Sequence, residues 1–449
     1  MFFYKITYRE RRKKTTAAEN GKIIVSRIKN VIGKRFPELS VQLNKLADSR
    51  KHKEYSMAEI VTGAIFMFLF KETSRNAYTN DRRDEVFAKN YYRNFKLRLP
   101  HPDTIDDVMR VLSGSQLEEL KTHLVSNLLG QKLLRKFRFL GEFYFVAVDA
   151  TGTHTFDQKH CGHCLTRTSK NGVVTWFHYV LEAKIVTSSG LAISLATEFI
   201  ENQPGTSYEK QDCEQKAFVR LAEKIKRHFP RLPICILADG LYPNNTVFNV
   251  CRKNGWKFII TLKDGSLKSF NTEVGLLQAM AQKRTVYQSD KSQNILLEYR
   301  FINDIDYDGR NYSWVSCVET KTSLKDKSKQ ITRFVYITNV KQTVDNVINT
   351  ANGGRLRWKI ENEGFNTQKN LGYELEHKYS RVSLPALKNY YLVLQIAHLI
   401  NQLVENSTDI VELMGQHSKQ TFKALWKDLT VFMKAIPYCK EQLMCFLSS

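Results

Sequence analysis

Two apolar runs that each finish in an aspartate constrain this chain more than any other feature of it. FYFVAVD (Phe143–Asp149) and ICILAD (Ile234–Asp239) are rich in β-branched and aromatic residues and are followed by turn residues, the texture of buried strands. Further strands are expected at Val174–Val186 and Leu191–Phe199, joined by Ser188-Ser189-Gly190, and at Trp256–Leu262. Phe218, Leu221, Ala222 and Ile225 fall at helical spacing before Pro230, and a short helix is expected after Pro243. The order is therefore three strands, helix, strand, helix, strand. That excludes a simple alternating parallel sheet.

This order is that of a ribonuclease-H-like α/β fold, a mixed sheet with flanking helices. The helix that should complete it does not follow at once. Residues 264–332 lean to strand, with a hairpin-like turn at Tyr307–Tyr312, and read as an inserted β-rich subdomain. Arg333–Asn339 reads as a strand returning to the core, Gly353-Gly354 as the opening of the awaited helix, and Leu384–Val404 as a long apolar helix. The expected organisation is a basic arm (1–54), a helical, DNA-binding region (55–138), a catalytic core (139–263 and 333–405) split by the insertion, and a helical tail (406–449). Within 55–138, Thr104 with Asp107 reads as a capping-box start, and Ser113-Gly114-Ser115 as another helix start.

Charge points to the partner. The net charge is +23, and residues 1–53 hold fifteen Lys/Arg against four Asp/Glu. Arg11, Arg12, Lys13 and Lys14 are the densest part, the pattern of a flexible arm that tracks a phosphate backbone. A solvated basic tail is the blander alternative, and an anionic membrane surface ranks below nucleic acid. The apolar run Ile65–Phe70 is too short to span a bilayer and reads as a buried helix. Eight cysteines without a secretion signal suit a reducing compartment, so a cytoplasmic protein is expected.

A lone aspartate at a strand end is usually a turn residue. Two on strands that should be neighbours suggest a site, and helical geometry supplies a third carboxylate. At 100° per residue, Glu361 falls within an apolar face outlined by Ile360, Leu356, Leu371, Trp358 and Phe365, alongside Arg357 and Gln368. Glu363 falls opposite, with Lys359, as a solvated residue. A carboxylate amid apolar side chains needs a cation, either a metal or Arg357 one turn away. Asp149, Asp239 and Glu361 without Cys or His make a hard-oxygen site suited to Mg²⁺ or Mn²⁺. On a basic chain, that chemistry is cleavage or transfer of phosphodiester bonds.

VAVDATGTH around Asp149, ILADGLYPN around Asp239 and Arg357-Trp358-Lys359-Ile360-Glu361 resemble the Asp-Asp-Glu signature of bacterial insertion-sequence transposases. The resemblance is to the branch with a Tyr-Arg-Glu-Lys pattern and a β-rich insertion, and it covers roughly residues 140–405. It implies that Asp149, Asp239 and Glu361 ligate two Mg²⁺ ions and that Arg357 contacts a phosphate near the cleaved end. It also implies a homodimer or larger synaptic complex acting on the element's terminal repeats and on target DNA, beside the bacterial nucleoid. Two positions depart from the pattern. Its Tyr falls on Gly354 and its Lys on Gln368, with Lys369 beside it as a substitute DNA contact. A nuclease without strand transfer, and a transposase-derived DNA-binding protein without catalysis, stay open as alternatives.

One further cluster has metal-ligand spacing. His160, Cys161, His163 and Cys164 have the spacing of a zinc half-site that His154, His178 or Cys213 would have to complete, but an unliganded loop is the favoured reading of this stretch. His154 also lies close after Asp149, where a structural role is the plainer reading. Trp314 reads as a strand core position that is otherwise placed to stack on a base, and Lys263–Lys268 as a basic turn facing DNA.

Overall fold

The computed structural model describes residues 16–205, 210–416 and 421–435, so Arg11, Arg12, Lys13 and Lys14 lie outside the described residues. The fold is mixed α/β. The chain divides into two compact units: Met1–Val108 with Leu371–Tyr373 and Ile396–Ser449, and Met109–Asn370 with Glu374–Gln395. Among the described residues, no helix is long and apolar enough to cross a membrane.

The described part of the first unit is helical. Part of the stretch read as a basic arm is ordered helix: Ala17–Arg35 opens on a capping box between Thr16 and Glu19 and buries Ile24, Val25, Ile28 and Val31. Charge density hid this apolar stripe, since the exposed Lys22 and Lys29 occupy the opposite face and Arg27 flanks it. Gly21 lets the helix lie directly on Phe422–Lys434, where a Cβ would meet the Asp428 carbonyl and Phe432. Met57–Leu69, which holds most of the apolar run, is buried along its whole length. Pro102–Val111 begins two residues before the expected cap at Thr104, because proline's fixed φ already suits a first helical position.

The second unit is built on a ten-stranded mixed sheet. Its strands are β1 (Tyr144–Phe156), β2 (Leu165–Thr168), β3 (Val174–Val186), β4 (Ala192–Ile200), β5 (Ile234–Ala238), β6 (Lys257–Thr261), β7 (Gln282–Ser289), β8 (Gln293–Asp306), β9 (Asn311–Ser323) and β10 (Lys329–Thr338). The order is β2-β3-β1-β5-β6-β10-β9-β8-β7, with β4 also paired to β3. β3 runs antiparallel to β1 and β4 antiparallel to β3, whereas β5 and β6 run parallel to β1. Residues 264–332 carry β7, β8, β9 and the start of β10, and β10 joins them to β6, so their strands continue the same sheet.

Alternate residues of these strands form the core. Phe145 and Ala147 of β1, Cys235 and Leu237 of β5, and Ile259 of β6 pack in one buried cluster with Val347, Ala351, Ile360 and Phe365. Gly353 and Gly354 lie near the end of the Val347–Arg355 helix and do not open it. A Cβ at Gly354 would sit 2.5 Å from the Tyr336 ring, and one at Gly353 would strike Phe145. The glycine pair thus brings the helix close onto the sheet, and it is why the pattern's Tyr has no room at 354.

Candidate active site

β1 is longer than the run ending at Asp149, so this aspartate stands inside the strand, paired with Glu182 of β3. What ends near it is the partnership with β5. The last parallel pair is Ala147 with Leu237, and carrying that register two residues on sets Asp149 beside Asp239. Phe145, Ala147 and Asp149 alternate on one face of β1, as Cys235, Leu237 and Asp239 do along β5. Both aspartates therefore leave the sheet on the side covered by the helical segment that carries Glu361, at the point where β1 and β5 part.

Glu361 sits in a stretch of π-helix, Ile360–Asn366, separated from the turn at Leu356–Arg357 by the helical residues Trp358 and Lys359. Its i→i+5 hydrogen bonding departs from the α-helical rotation used to assign faces. Glu363 is consequently half-buried, not solvated: it pairs with Lys359, and its Oε2 is buried without a hydrogen-bond partner. Glu361 is half-buried as well, so burial does not separate the two carboxylates. The alternative pairing of Arg357 with Glu361 is not formed; Arg357 pairs instead with Asp149, Nη1 to Oδ2 at 3.3 Å.

The three carboxylates share one electrostatic environment. Burial pushes the Asp149 carboxyl above its ordinary range, Asp239 and Glu361 push the same way, and Arg357 and the Ala150 N–H oppose them. Asp239 Oδ1 accepts the Leu241 N–H at 2.8 Å, and Oδ2 lies 3.7 Å from Lys263 Nζ. Gly240 makes room for that lysine, since a Cβ there would meet its side chain at 2.5 Å. The basic turn at Lys263–Lys268 thus begins with a cation on the site itself. Arg357 is buried, its guanidinium lying 4.3 Å over the half-exposed Trp358 ring. Among the described residues Glu361 has no salt bridge or hydrogen-bonded side-chain partner, so it is the carboxylate most open to an added cation.

A fourth carboxylate escaped the sequence reading. Glu214 opens the helix Glu214–His228, and burial followed by the charges of Asp149 and Asp239 raises its carboxyl, while the Tyr242 hydroxyl donates to Oε2 at 3.1 Å. An acidic residue in a first helical turn is so ordinary that nothing local marks it. Gln368, at the pattern's Lys position, is fully buried and exchanges hydrogen bonds with Gln395, whose Oε1 also accepts Lys184 Nζ at 2.6 Å. Lys369 is half-buried and pairs with Glu376 at 2.7 Å.

Elsewhere the structure regroups the candidates. His160, Cys161 and Cys164 come together with His178 of β3, while His163 lies apart, Nδ1 being 3.0 Å from the Asn202 carbonyl. His154 lies 3.3 Å from the His377 carbonyl, and burial lowers its pKa to about 4, which makes it a neutral structural residue. Cys213 is exposed, and Trp314 is buried in β9. In the helical unit, Arg82, Lys89, Arg93, Lys96 and Arg98 line a groove of about 700 Å³ with Tyr92. These cations are scattered through Arg75–Arg83, Glu85–Phe95 and the turn after it, and form no dense run in the sequence.

No known family model matches this chain, and no curated protein matches it.

Proposed function

We propose that this chain is a DNA transposase of the Asp-Asp-Glu type, and that Asp149, Asp239 and Glu361 form its catalytic centre with Mg²⁺. The observation that carries the proposal is the convergence of three carboxylates from β1, the end of β5 and the π-helical turn on one face of the sheet, with Arg357 bound to Asp149. The strand order supports a ribonuclease-H-like core: β4, β3 and β1 antiparallel in succession, then β5 and β6 parallel to β1.

The donor set fits the ion. It is all oxygen, partly buried and adjacent to Glu214, with no Cys or His among the acidic groups. Magnesium bound there supplies Lewis-acid stabilisation to an in-line phosphoryl displacement. The protein's part is positional. The β1 backbone fixes Asp149 and the end of β5 fixes Asp239, while the Arg357 guanidinium opposes the effect of burial on the Asp149 carboxyl. The groove of Arg82, Lys89, Arg93, Lys96 and Arg98 is suited to a phosphate backbone. Cleavage of the element ends would free 3′-hydroxyls, and their transfer to target DNA would need two ends held by a dimer or larger complex.

The test is incubation of the full chain with a plasmid carrying the DNA that flanks its reading frame, in Mg²⁺, Ca²⁺ or EDTA. Nicking and joined products are expected in Mg²⁺ alone. Glu361→Gln should lower nicking about 10³-fold, since loss of several kcal/mol of metal-borne stabilisation converts at about 1.4 kcal/mol per decade. Binding without nicking in Mg²⁺ and in Mn²⁺ would refute catalysis and leave a DNA-binding protein, and nicking without joined products would leave a nuclease.

A further inference from the structure

We propose a second metal centre in the same unit: a structural Zn²⁺ held by His160 Nδ1, Cys161 Sγ, Cys164 Sγ and His178 Nε2. These four donors all lie within 4.8 Å of one another. The two sulfurs are 3.8 Å apart, each sulfur is 3.7 Å from His178 Nε2, and His160 Nδ1 is 3.5 Å from His178 Nε2. With Zn–S about 2.3 Å and Zn–N about 2.0–2.1 Å, a tetrahedral site needs S–S of about 3.8 Å, S–N of about 3.5 Å and N–N of about 3.3 Å. Those four edges match that polyhedron to within a few tenths of an ångström, the two from His160 Nδ1 to the sulfurs lie within 4.8 Å, and the Cys₂His₂ set is one zinc takes in closed structural sites.

The surroundings are those of a ligand shell. His160 Nε2 lies 3.0 Å from the Arg381 carbonyl. Donation to that oxygen places the proton on Nε2 and leaves the Nδ1 lone pair for the metal, the usual arrangement of a zinc-bound imidazole. Phe156 stacks on the His160 ring at 4.3 Å and meets His178 edge-on, closing one side of the cluster with apolar surface. Cys161 and Cys164 occur as free thiols, and their 3.8 Å separation is well beyond a disulfide's length of about 2.05 Å.

Position gives the centre its role. Three ligands come from the loop after β1, and the fourth from β3, where His178 pairs with His154 of β1. The ion would pin that loop against β3, four residues along the strand from Glu182, which pairs with Asp149. A long β1 extension beyond the last β5 pair is thereby cross-braced to β3. The inference does not rest on the transposase reading, because the ligands and the readout are independent of the carboxylates.

Full-length protein produced in zinc-supplemented medium and purified in reductant without chelator should carry about one zinc per chain by elemental analysis. Cobalt exchange should give the absorption of tetrahedral thiolate-bound Co²⁺. Cys164→Ser should lose the metal, while His163→Ala and Asp149→Asn should retain it. A wild-type chain that copurifies without zinc and gives no thiolate-cobalt spectrum overturns the proposal, whatever the variants do. So does retention of zinc by Cys164→Ser, loss of it in Asp149→Asn, or a Cys161–Cys164 disulfide found by mass under non-reducing conditions.

Discussion

Arg357 shows how much one side chain holds in this site. It lies under Trp358, pairs with Asp149, and is the cation that most opposes the rise of that carboxyl's pKa. Removing it leaves a partly buried carboxylate beside two others without its ion-pair partner. Arg357→Ala should therefore cost about 1–3 kcal/mol, a fall in melting temperature on the order of 5 °C, when measured in EDTA. Added Mg²⁺ should recover much of the loss, because a divalent ion restores the missing positive charge. Calorimetry showing no loss in EDTA, or a loss indifferent to Mg²⁺, would contradict this electrostatic picture of the site.

At the scale of elements, caps and crossings decide more than propensity. The buried Met57–Leu69 helix starts on a capping box in which Ser56 and Glu59 exchange hydrogen bonds, and Arg98 closes on the same carboxylate at 2.7 Å. The Arg98 guanidinium, helped by the Ser56 N–H, holds Glu59 down from 4.5 to about 2 against its burial. A carboxylate lowered in the folded state stabilises the fold above its unfolded pKa and loses that contribution as pH falls through the folded value. The stability gap between wild type and Arg98→Ala should thus be constant above about pH 5 and narrow between 4.5 and about 2. Thermal melts at stepped pH read this directly, and a gap that widens in acid would show that the pair acts otherwise. Gln368 illustrates the same scale. A lysine there would place a second ammonium beside the buried Lys184 and Gln395, so the departure from the pattern follows from local packing.

For the whole molecule the governing quantity is net charge, +23. On the proposed reading, duplex binding should weaken by about 10³–10⁵ between 50 and 200 mM salt if six to ten phosphates are contacted. Replacing Lys89, Arg93 and Lys96 together by Ala should lower the slope of log K against log salt by about 0.9 for each phosphate that is no longer neutralised. Filter binding on non-specific duplex measures it. A slope unchanged by the triple substitution would exclude the groove as a DNA surface.

The strand texture of β1, β3, β4, β5 and β6 was legible in the sequence, because burial writes its period into local residue choice. Glu214, the Asp149–Arg357 pair, the half-burial of Glu363 and the departure of His163 from a cluster that His178 completes were not. Each depends on which distant residue lies opposite, and that is set by sheet register and by a π-helical turn that changes the rotation per residue. The helix within the basic arm was hidden for a different reason: a stripe of four apolar residues is faint beside dense charge until a partner helix covers it. Chain chemistry alone thus fixed the kinds of groups available, and only the tertiary fold decided which of them meet.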